Sequence, residues 1–290
     1  MSKSLLGLVK EPTDITLNAY ERKVASLYNE KQDDINLLLG RSTELIHHHF
    51  GVGGWGTADI DALEESEILD RLHSLENRQV SYLLEAMADT RPHHHVFDGG
   101  SGRGGTAIML HQTFGCYYDG ANISDYQLAY SRELARIRRI DEKVHFHKMN
   151  MRDTCLKAST FEWVITNETT MYIEDLKALY AEFARLLKPR GRYVMMTWAI
   201  DANHPAPHQF IDPIDEHYVC KMHTNQAYLE AMLENGLVPL QVDELNGETL
   251  PYWLLRIRSK QKTGIEQHYI NAYRAGAIRY MRIVAERGGQ

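Results

Sequence analysis

The sequence predicts an α/β protein built on a doubly wound parallel sheet, with a helical cap at the N-terminus and a second cap in an insertion. Three observations predict this fold. Strand and helix patterns alternate between residues 96 and 199 with short joins, as they do in parallel sheets covered on both faces. A glycine-rich turn, GGSGRGG at 99–105, directly follows the first of these strands. Residues 201–226 break the alternation with three prolines and indicate an insertion over the carboxyl ends of the strands.

Hydrophobic periodicity assigns the individual elements. Val24, Leu27 and Tyr28 recur at helical spacing within residues 15–50, which are predicted to be helical, and the leucines of 64–88 predict a long helix there. Short apolar runs bounded by turn residues predict strands. The predicted strands cover 96–98, 116–120, 144–149, 161–166, 192–199, 237–245 and 279–285, and the further helices cover 106–113, 125–139, 174–187, 227–235, 249–260 and 265–276. We expect one domain, with a helical cap at 1–90 and a core at 91–290.

Composition narrows the class of protein. The chain has 290 residues, of which 43% are hydrophobic and 24% charged, as in an ordinary soluble domain. A net charge of −7 argues against a nucleic-acid partner, although a local basic pocket for one anionic substrate remains compatible with it. The three cysteines are far apart, which argues against a disulfide framework and a sulfur-based zinc site. Because no apolar stretch approaches the ~18 residues of a membrane span, we expect a cytoplasmic protein without a membrane partner.

Two internal histidine triplets stand at 47–49 and 93–95. Adjacent side chains point in different directions on a helix or strand, so neither triplet is expected to present three ligands to one metal ion. The second triplet, between Pro92 and Val96, is predicted to be a surface lead-in to a strand.

The glycine turn carries the first chemical signal. Read from Asp98 as D-x-G-x-G-x-G, it resembles motif I of class I S-adenosylmethionine (SAM)-dependent methyltransferases, in which an acid at the strand end precedes glycines that make room for the methionine part of SAM. The segment LLKPRGRYVMMTW (186–198) resembles the approach to the fifth strand of that fold, and GANISDYQLAYSRELA (120–135) resembles a segment of the branch that contains cyclopropane fatty-acid synthases. A glycine-rich turn of another nucleotide-binding fold is the alternative.

This resemblance implies a set of cofactor-binding residues. Asn122 stands where most class I methyltransferases carry an acid for the ribose hydroxyls, and an amide also bonds two hydroxyls. Asn150 and Met151 follow the third strand, where the adenine edge is usually recognised. The implied cofactor set is Asp98, Gly100, Gly102, Gly104, Asn122, Gln127, Asn150, Met151 and Asn167.

Three further segments narrow the resemblance. IHHHFGVG (46–53), ITNETTMY (165–172) and TLPYWLLRIRSKQKTGIE (249–266) are similar to segments of the geranyl diphosphate C-methyltransferases, which methylate prenyl diphosphates before terpene cyclisation. The resemblance runs from about residue 20 to 285 and implies terpenoid biosynthesis, with SAM and Mg²⁺ as cofactors and a prenyl diphosphate as substrate.

C-methylation of an alkene dictates what the site must contain. When the π electrons attack the sulfonium methyl, the adjacent carbon becomes a carbocation, and a base must then remove a proton. Glu168 is the candidate base, because it matches the Glu to which the resemblance assigns that role and lies at the carboxyl edge of the fourth strand, where ligands of such sheets bind. A Glu that caps a helix or forms a structural pair is the alternative. Phe50 and Tyr218 match aromatic pocket positions of the family, and aromatic faces stabilise cations. The further candidates for this aromatic wall are Tyr172, Trp198, Phe210 and Trp253.

The diphosphate needs a holder. Asn36 matches a family position close to the metal and diphosphate, and Glu76 is a candidate to hold a metal-bound water, because Mg²⁺ keeps several waters and often binds through phosphates. The candidates that contribute charge or hydrogen bonds are Arg41, His47, His48 and His49. A polar surface position is the alternative for each of these residues, as core packing is for the aromatic candidates. The N-terminal helices and the 201–226 insertion are predicted lids that exclude water from the cation.

Three alternatives to methylation of geranyl diphosphate at carbon 2 stay open. The same chemistry can occur on farnesyl or isopentenyl diphosphate, or at carbon 6. The chain can be another SAM methyltransferase that acts on a lipid or small molecule. It can also be a non-catalytic SAM-binding protein. Self-association into a homo-oligomer is also expected.

Overall fold

The computed structural model describes residues 15–32, 34–55 and 60–289, and these residues form a seven-stranded sheet. The strands are β1 His95–Gly99, β2 Tyr117–Asn122, β3 Val144–Lys148, β4 Phe161–Asn167, β5 Leu187–Ile200, β6 Leu237–Glu244 and β7 Ile278–Arg287. Their order is β3-β2-β1-β4-β5-β7-β6. The first five strands pair in parallel, whereas β7 lies antiparallel between β5 and β6. The predicted doubly wound α/β sheet is therefore confirmed, with an antiparallel strand near one edge.

Helices cover both faces of this sheet. They are α1 Ala19–Glu30, α2 Ile35–Leu39, α3 Glu65–Glu85, α4 Gly105–Phe114, α5 Asp125–Ile137, α6 Leu176–Leu186, α7 His208–Tyr218, α8 Asn225–Glu234, α9 Asn246–Arg256 and α10 Glu266–Ala275. Short 3₁₀ turns occur at Gly40–Ser42, Ile60–Ala62 and Thr170–Tyr172. No helix within the described ranges is long and apolar enough to cross a bilayer.

The prediction of helix over 15–50 is wrong for much of that stretch. Asn18 begins α1 with a capping box, and Asp34 begins α2 as a separate helix by accepting a hydrogen bond from the Leu37 amide. Residues 43–50 are not helical but run into the interior, where His49 and Phe50 are buried. Tertiary contacts have overridden local helical spacing here. The predicted cap at 1–90 also includes residues 1–14, 33 and 56–59, which lie outside the described residues.

The other elements lie close to their predicted positions. Strand β5 begins at Leu187, five residues before the predicted start at 192, and a shift in its register against β4 accommodates the earlier residues. The 201–226 insertion contains α7. Of the second histidine triplet, His93 is exposed and His95 begins β1, which confirms the predicted lead-in to a strand.

Two hydrophobic clusters hold the layers together, one on each face of the sheet. Successive side chains of a strand point to opposite faces, so Val96 and Ile165 belong to one cluster, whereas Phe97 and Val164 belong to the other. Helices α3, α9 and α10 contribute to the first cluster and α6 and α8 to the second. The carboxyl ends of β1, β2 and β4 meet between these layers, and they define where a ligand can bind.

We expect Leu179→Ala to lower the free energy of unfolding by about 2–5 kcal/mol, because it leaves a cavity beneath α6. The Leu179 side chain is fully buried. Lys177→Ala on the same helix is the matched control, since Lys177 is 76% exposed, and its effect should stay within about 0.5 kcal/mol. Urea denaturation measures both. Equal losses in the two variants would contradict the assignment of the buried face of α6.

Candidate active site

A cleft of about 960 Å³, including its open mouth, lies at the carboxyl edge of β1, β2 and β4. The glycine-rich loop forms its floor, and residues 121–123, 149–151 and 167–169 form its sides. Helix α1 closes it from above through Glu21, Val24 and Tyr28. The histidine triplet at 47–49 also lines the cleft, so the N-terminal segment and the sheet edge share one site.

The glycine loop is shaped for close approach of a ligand. Gly100 has φ of +112°, and a Cβ there would lie 2.4 Å from the Thr169 Cγ2 atom. At Gly102, with φ of +53°, a Cβ would meet no heavy atom nearer than 3.9 Å, so the backbone faces open space. Gly104 differs, because its Cβ would lie 3.1 Å from the Phe146 ring and the residue caps the start of α4. Gly104 thus shapes the turn, whereas Gly100 and Gly102 line the cleft.

Asp98 presents a buried carboxyl group to the cleft. It ends the apolar part of β1 and is 1% exposed. The Tyr118 hydroxyl donates to Asp98 Oδ2 at 2.5 Å, while Oδ1 has no hydrogen-bond partner in the described part of the chain. Burial raises the Asp98 pKa to about 7. An unpaired buried carboxyl oxygen beside a glycine cradle fits the ammonium group of an amino-acid-like cofactor such as SAM.

The predicted amide pair is brought together. Asn122 Nδ2 donates to Gln127 Oε1 at 2.9 Å and to the Gly102 carbonyl at 3.2 Å. Ser124 caps α5 by accepting from the Gln127 amide, which fixes this side chain beside the cleft. Asn122 and Gln127 therefore form one polar wall next to the glycine loop, where their remaining donors and acceptors suit a ribose.

The opposite end of the cleft is closed by a contact that sequence reasoning missed. Asn150 Nδ2 donates to Glu21 Oε1 at 3.0 Å, and Arg152 Nε donates to the same oxygen at 2.9 Å. Met151 lines the cleft beside them. Helix α1 is thus tied to the loop after β3, and the only local signal for this was the capping-box spacing of Asn18 and Glu21.

Glu168 lies where the cleft meets the interior. It follows β4 with φ of +52°, a left-handed backbone that is uncommon for a residue other than glycine and is often associated with function. The Phe50 amide donates to both carboxylate oxygens, at 3.2 and 3.3 Å, and the Tyr280 hydroxyl donates to Oε1 at 2.6 Å. Burial raises the Glu168 pKa to about 8, and these donors oppose that rise. Such a pKa is close to the operating pH of a general base.

An aromatic group stands directly behind Glu168. The Phe50 ring centroid lies 4.4 Å from that of Trp253, 5.0 Å from that of Trp198 and 6.0 Å from that of Tyr218. Four predicted aromatic residues are thus brought together from β5, α7, α9 and the loop at 50. Tyr252 and Tyr269 join them, and the sequence reasoning missed both.

The two other predicted aromatic residues, Tyr172 and Phe210, contact different partners. Tyr172 lines the cleft, where Tyr28 donates a hydrogen bond to its hydroxyl at 2.8 Å. The Phe210 ring packs against His204 at a centroid distance of 5.6 Å, and its part in the aromatic wall stays a prediction. Phe210 lies in the first turn of α7, whereas Tyr218 at the other end of that helix reaches the group.

The first histidine triplet supplies hydrogen bonds without charge. His47 Nε2 pairs with Asn77 Oδ1 at 2.9 Å, and His48 Nδ1 pairs with Asn36 Nδ2 at 3.3 Å. Burial lowers the pKa of His47 to about 4 and that of His48 to about 3, and it also lowers the pKa of His49. The second ring nitrogen of each histidine is buried without a partner among the residues described. A neutral imidazole has one donor and one acceptor, so the free nitrogen of His48 can donate to a ligand, whereas those of His47 and His49 can accept from one.

The predicted metal and diphosphate residues differ in where the structure places them. Arg41 is exposed on a 3₁₀ turn and is not among the residues that line the cleft, and its contact with the diphosphate stays a prediction. Glu76 is buried, and its Oε1 accepts from the Tyr252 hydroxyl at 2.9 Å. That hydroxyl also accepts from Arg256, which pairs with Glu266 in a buried charge network that sequence reasoning missed.

No group of three or more His, Cys, Asp or Glu side chains within 15–32, 34–55 and 60–289 is arranged to hold a metal ion. Mg²⁺ keeps several waters and often binds through phosphate oxygens, so a contact such as the side-chain oxygen of Asn36, whose amide nitrogen lies 3.3 Å from His48 Nδ1, fits it.

The two predicted lids contact each other, and the N-terminal one lines the cleft. Asn29 of α1 accepts from the Ser124 hydroxyl at 2.8 Å, and Tyr20 donates to the Val219 carbonyl at 3.0 Å, which ties α1 to the insertion. The buried Arg103 of the glycine loop pairs with Asp34 at 2.9 Å and holds the chain before α2 over the site. The N-terminal segment and the insertion are thus joined to each other and to the glycine loop.

This chain is similar to several known proteins. A model of the methyltransferase domain matches residues 97–195. The geranyl diphosphate 2-C-methyltransferase of Saccharopolyspora erythraea is 38% identical over 273 residues, covering 93% of this chain and 95% of that protein. The enzyme of the same name from Streptomyces coelicolor is 37% identical over 274 residues, covering 92% and 93%.

Two solved structures are also similar. A geranyl diphosphate methyltransferase in complex with GPP and sinefungin superposes with a TM-score of 0.91 at 37% identity, covering 94% of this chain and 100% of that one. The Streptomyces coelicolor geranyl diphosphate C-methyltransferase in complex with Mg²⁺, geranyl-S-thiolodiphosphate and S-adenosyl-L-homocysteine also gives a TM-score of 0.91, at 35% identity and the same coverage.

We expect Gly100→Ala to abolish measurable SAM binding, because the added Cβ would collide with Thr169 at 2.4 Å and the backbone would be strained. Gly115→Ala is the control: its φ is also positive, +63°, but its Cβ would meet nothing within 4 Å. Isothermal titration calorimetry measures both affinities. SAM binding of wild-type strength in Gly100→Ala would contradict the assignment of the glycine loop.

We expect SAM binding to weaken as the pH falls below about 7, the pKa of Asp98, because a cationic ligand favours the ionised carboxyl group. The Kd should rise about tenfold per pH unit between pH 6.5 and 5. Asp98→Asn should bind more weakly and lose this slope. An identical pH dependence in the two proteins would show that Asp98 does not face the cofactor.

Proposed function

Because the chain belongs to the family of geranyl diphosphate C-methyltransferases, we propose that its site transfers a methyl group from SAM to carbon 2 of geranyl diphosphate, with Glu168 as the base. The enzyme is a SAM-dependent C-methyltransferase with a class I methyltransferase fold, and geranyl diphosphate, SAM and Mg²⁺ are its substrate and cofactors. One observation carries the proposed mechanism: the carboxyl group of Glu168 lines the cofactor cleft and is hydrogen-bonded to the amide of Phe50 in the aromatic group.

The cleft residues bind and orient the cofactor. Gly100 and Gly102 leave room for the methionine part, and Asp98 accepts from its ammonium group. Asn122 and Gln127 bond the ribose, while Asn150 and Met151 border the adenine, and Asn167 fixes the end of β4. The sulfonium group of SAM, when bound, supplies an electrophilic methyl. The role of this chain is to aim that methyl at one alkene carbon and to keep water out.

Methyl transfer and deprotonation together account for every bond and charge in the proposed reaction. The π electrons of the carbon 2–carbon 3 double bond form the new carbon–methyl bond at carbon 2 as the sulfur–methyl bond breaks, and carbon 3 becomes cationic. The Phe50, Trp198 and Trp253 rings stabilise that charge by about 0.5–2 kcal/mol each when desolvated. Glu168 takes the proton from carbon 2, and the released electron pair restores the double bond. Its carboxylate also stabilises the cation before it deprotonates it.

The diphosphate group is held at the N-terminal side of the cleft. Asn36 Nδ2 donates to His48 Nδ1, so the neutral His48 carries its proton on the unpaired Nε2 and can donate it to a phosphate oxygen. Magnesium, when bound, would balance the charge of the diphosphate, with Asn36 as a contact and Glu76 as an indirect one through water. Because the triplet is neutral, the metal ion supplies the charge that these residues do not.

We further infer that the enzyme works in the cytoplasm on a substrate in solution, with no nucleic-acid or membrane partner, which the net charge of −7 supports. A homo-oligomer is part of this proposal. Val238, Leu240 and Val242 expose 47%, 57% and 46% of their side chains on the edge strand β6, and such an apolar row favours self-association.

We expect Glu168→Gln to reduce kcat with geranyl diphosphate by about 10²–10⁴-fold, because the amide has no basic oxygen for the proton. SAM binding should stay within about twofold of wild type. Glu162→Gln is the matched control, since Glu162 lies near the start of the same strand and accepts from the His95 amide. Product formation is followed by mass spectrometry. Wild-type turnover in Glu168→Gln would remove Glu168 from the mechanism and leave a SAM-binding site with another base.

A further inference from the structure

We propose that Tyr280 and Gln79 are positioning residues that commit one carboxylate oxygen of Glu168 to a fixed hydrogen bond and leave the other, Oε2, to accept the substrate proton. This inference rests on the proposed role of Glu168 as the base. Neither residue belongs to a motif of the sequence, and both are fully buried.

The sheet topology places Tyr280 beside the base. Strand β7 runs antiparallel to β5, so its first residues lie at the carboxyl edge of β5, and Tyr280 pairs with Trp198 of the aromatic group. The Tyr280 hydroxyl oxygen lies 2.6 Å from Glu168 Oε1 and 2.8 Å from Gln79 Nε2 of helix α3. One hydroxyl therefore bridges the base to a helix on the opposite side of the site.

The direction of each hydrogen bond follows from the number of protons available. An ionised carboxylate has no proton to give, so Tyr280 donates to Glu168 Oε1. A hydroxyl has one proton, so the Tyr280 oxygen must then accept from the Gln79 amide. Asn167 keeps Gln79 in this orientation, because Asn167 Nδ2 donates to Gln79 Oε1 at 3.0 Å while Gln79 Nε2 donates to Asn167 Oδ1. Asn167 directly precedes Glu168, so the chain of bonds closes on the base.

The two oxygens of Glu168 consequently differ. Oε1 accepts from Tyr280 at 2.6 Å and from the Phe50 amide at 3.2 Å, whereas Oε2 accepts only from Phe50, at 3.3 Å, within the described residues. Negative charge on Oε1 is better stabilised, so Oε2 is the more basic oxygen. When Oε2 takes the proton, Oε1 becomes a carbonyl oxygen that still accepts from Tyr280. No hydrogen bond has to break during the transfer.

The surroundings make this bond matter for the ionisation of the base. Glu168 faces the carboxyl group of Glu76 on α3, which raises its pKa, and the hydroxyls of Tyr28 on α1 and of Tyr269 and Tyr273 on α10. Tyr280 and the Phe50 amide act in the opposite direction. Burial and the Glu168 charge raise the pKa of Tyr280 itself well above its usual range, so its hydroxyl stays protonated and remains a donor.

The test measures the ionisation of Glu168 in Tyr280→Phe. The carboxyl stretch in infrared difference spectra is titrated in the full-length enzyme, and Glu168→Gln identifies the band. We expect the midpoint to rise by about one pH unit and the acid limb of kcat to move with it, so that kcat at pH 7 falls about tenfold. KM for geranyl diphosphate and the Kd of SAM should change less than twofold. Gln79→Leu, which frees the Tyr280 hydroxyl to rotate, should shift both in the same direction by less.

Tyr193→Phe is the matched control. It removes a buried hydroxyl that bonds Thr166 at 2.6 Å and does not touch Glu168, so it should destabilise the fold without moving the midpoint. A midpoint and acid limb in Tyr280→Phe equal to those of Tyr193→Phe would overturn the inference, even if kcat falls. Loss of turnover in Glu168→Gln within the same series would then still support the proposed base, so the two failures are distinguishable.

Discussion

The burial of one carboxyl group is the constraint on which the rest of this site depends. As the proposed base, Glu168 must be ionised to accept a proton, yet it stands in a buried, aromatic environment that disfavours its charge. Two distant segments donate hydrogen bonds that stabilise this charge, one from the Phe50 amide and one from the Tyr280 hydroxyl. Residue 168 itself has a left-handed backbone. The resulting pKa of about 8 keeps the group basic without fixing it permanently as a carboxylate.

Two compartments meet at this carboxyl group. The polar one is built on the carboxyl edge of the parallel strands, where the glycine loop, Asn122 and Gln127 lie, and it suits a nucleoside with an amino-acid tail. The aromatic one is built from α7, α9, α10 and the chain at Phe50, and it suits a hydrocarbon that becomes cationic. Helix α1 lines the polar compartment and bonds the insertion through Tyr20 and Val219, and these two segments are the proposed barrier between a carbocation and water.

The local sequence pattern was sufficient to predict those parts of the site that depend only on neighbouring residues. The glycine loop, the Asn122–Gln127 pair and the end of β4 were predictable because each function follows directly from a strand end. The break between α1 and α2 was not, because it depends on Asp34 and on its partner Arg103, 69 residues away. Tyr280 and Gln79 are 201 residues apart and meet only through the antiparallel β7. The exposure of Arg41 and the packing of Phe210 against His204 were not predictable, because the position of a residue near a motif does not determine where its side chain points.

The proposed mechanism requires that the carbon that receives the methyl group loses its proton. Geranyl diphosphate deuterated at carbon 2 tests this directly when it is incubated with the enzyme, SAM and Mg²⁺ and the product is analysed by mass spectrometry and NMR. We expect a product that is methylated at carbon 2 and carries no deuterium, with the label released to water. A methylated product that retains the deuterium would contradict the mechanism, because the proton would then have come from another carbon.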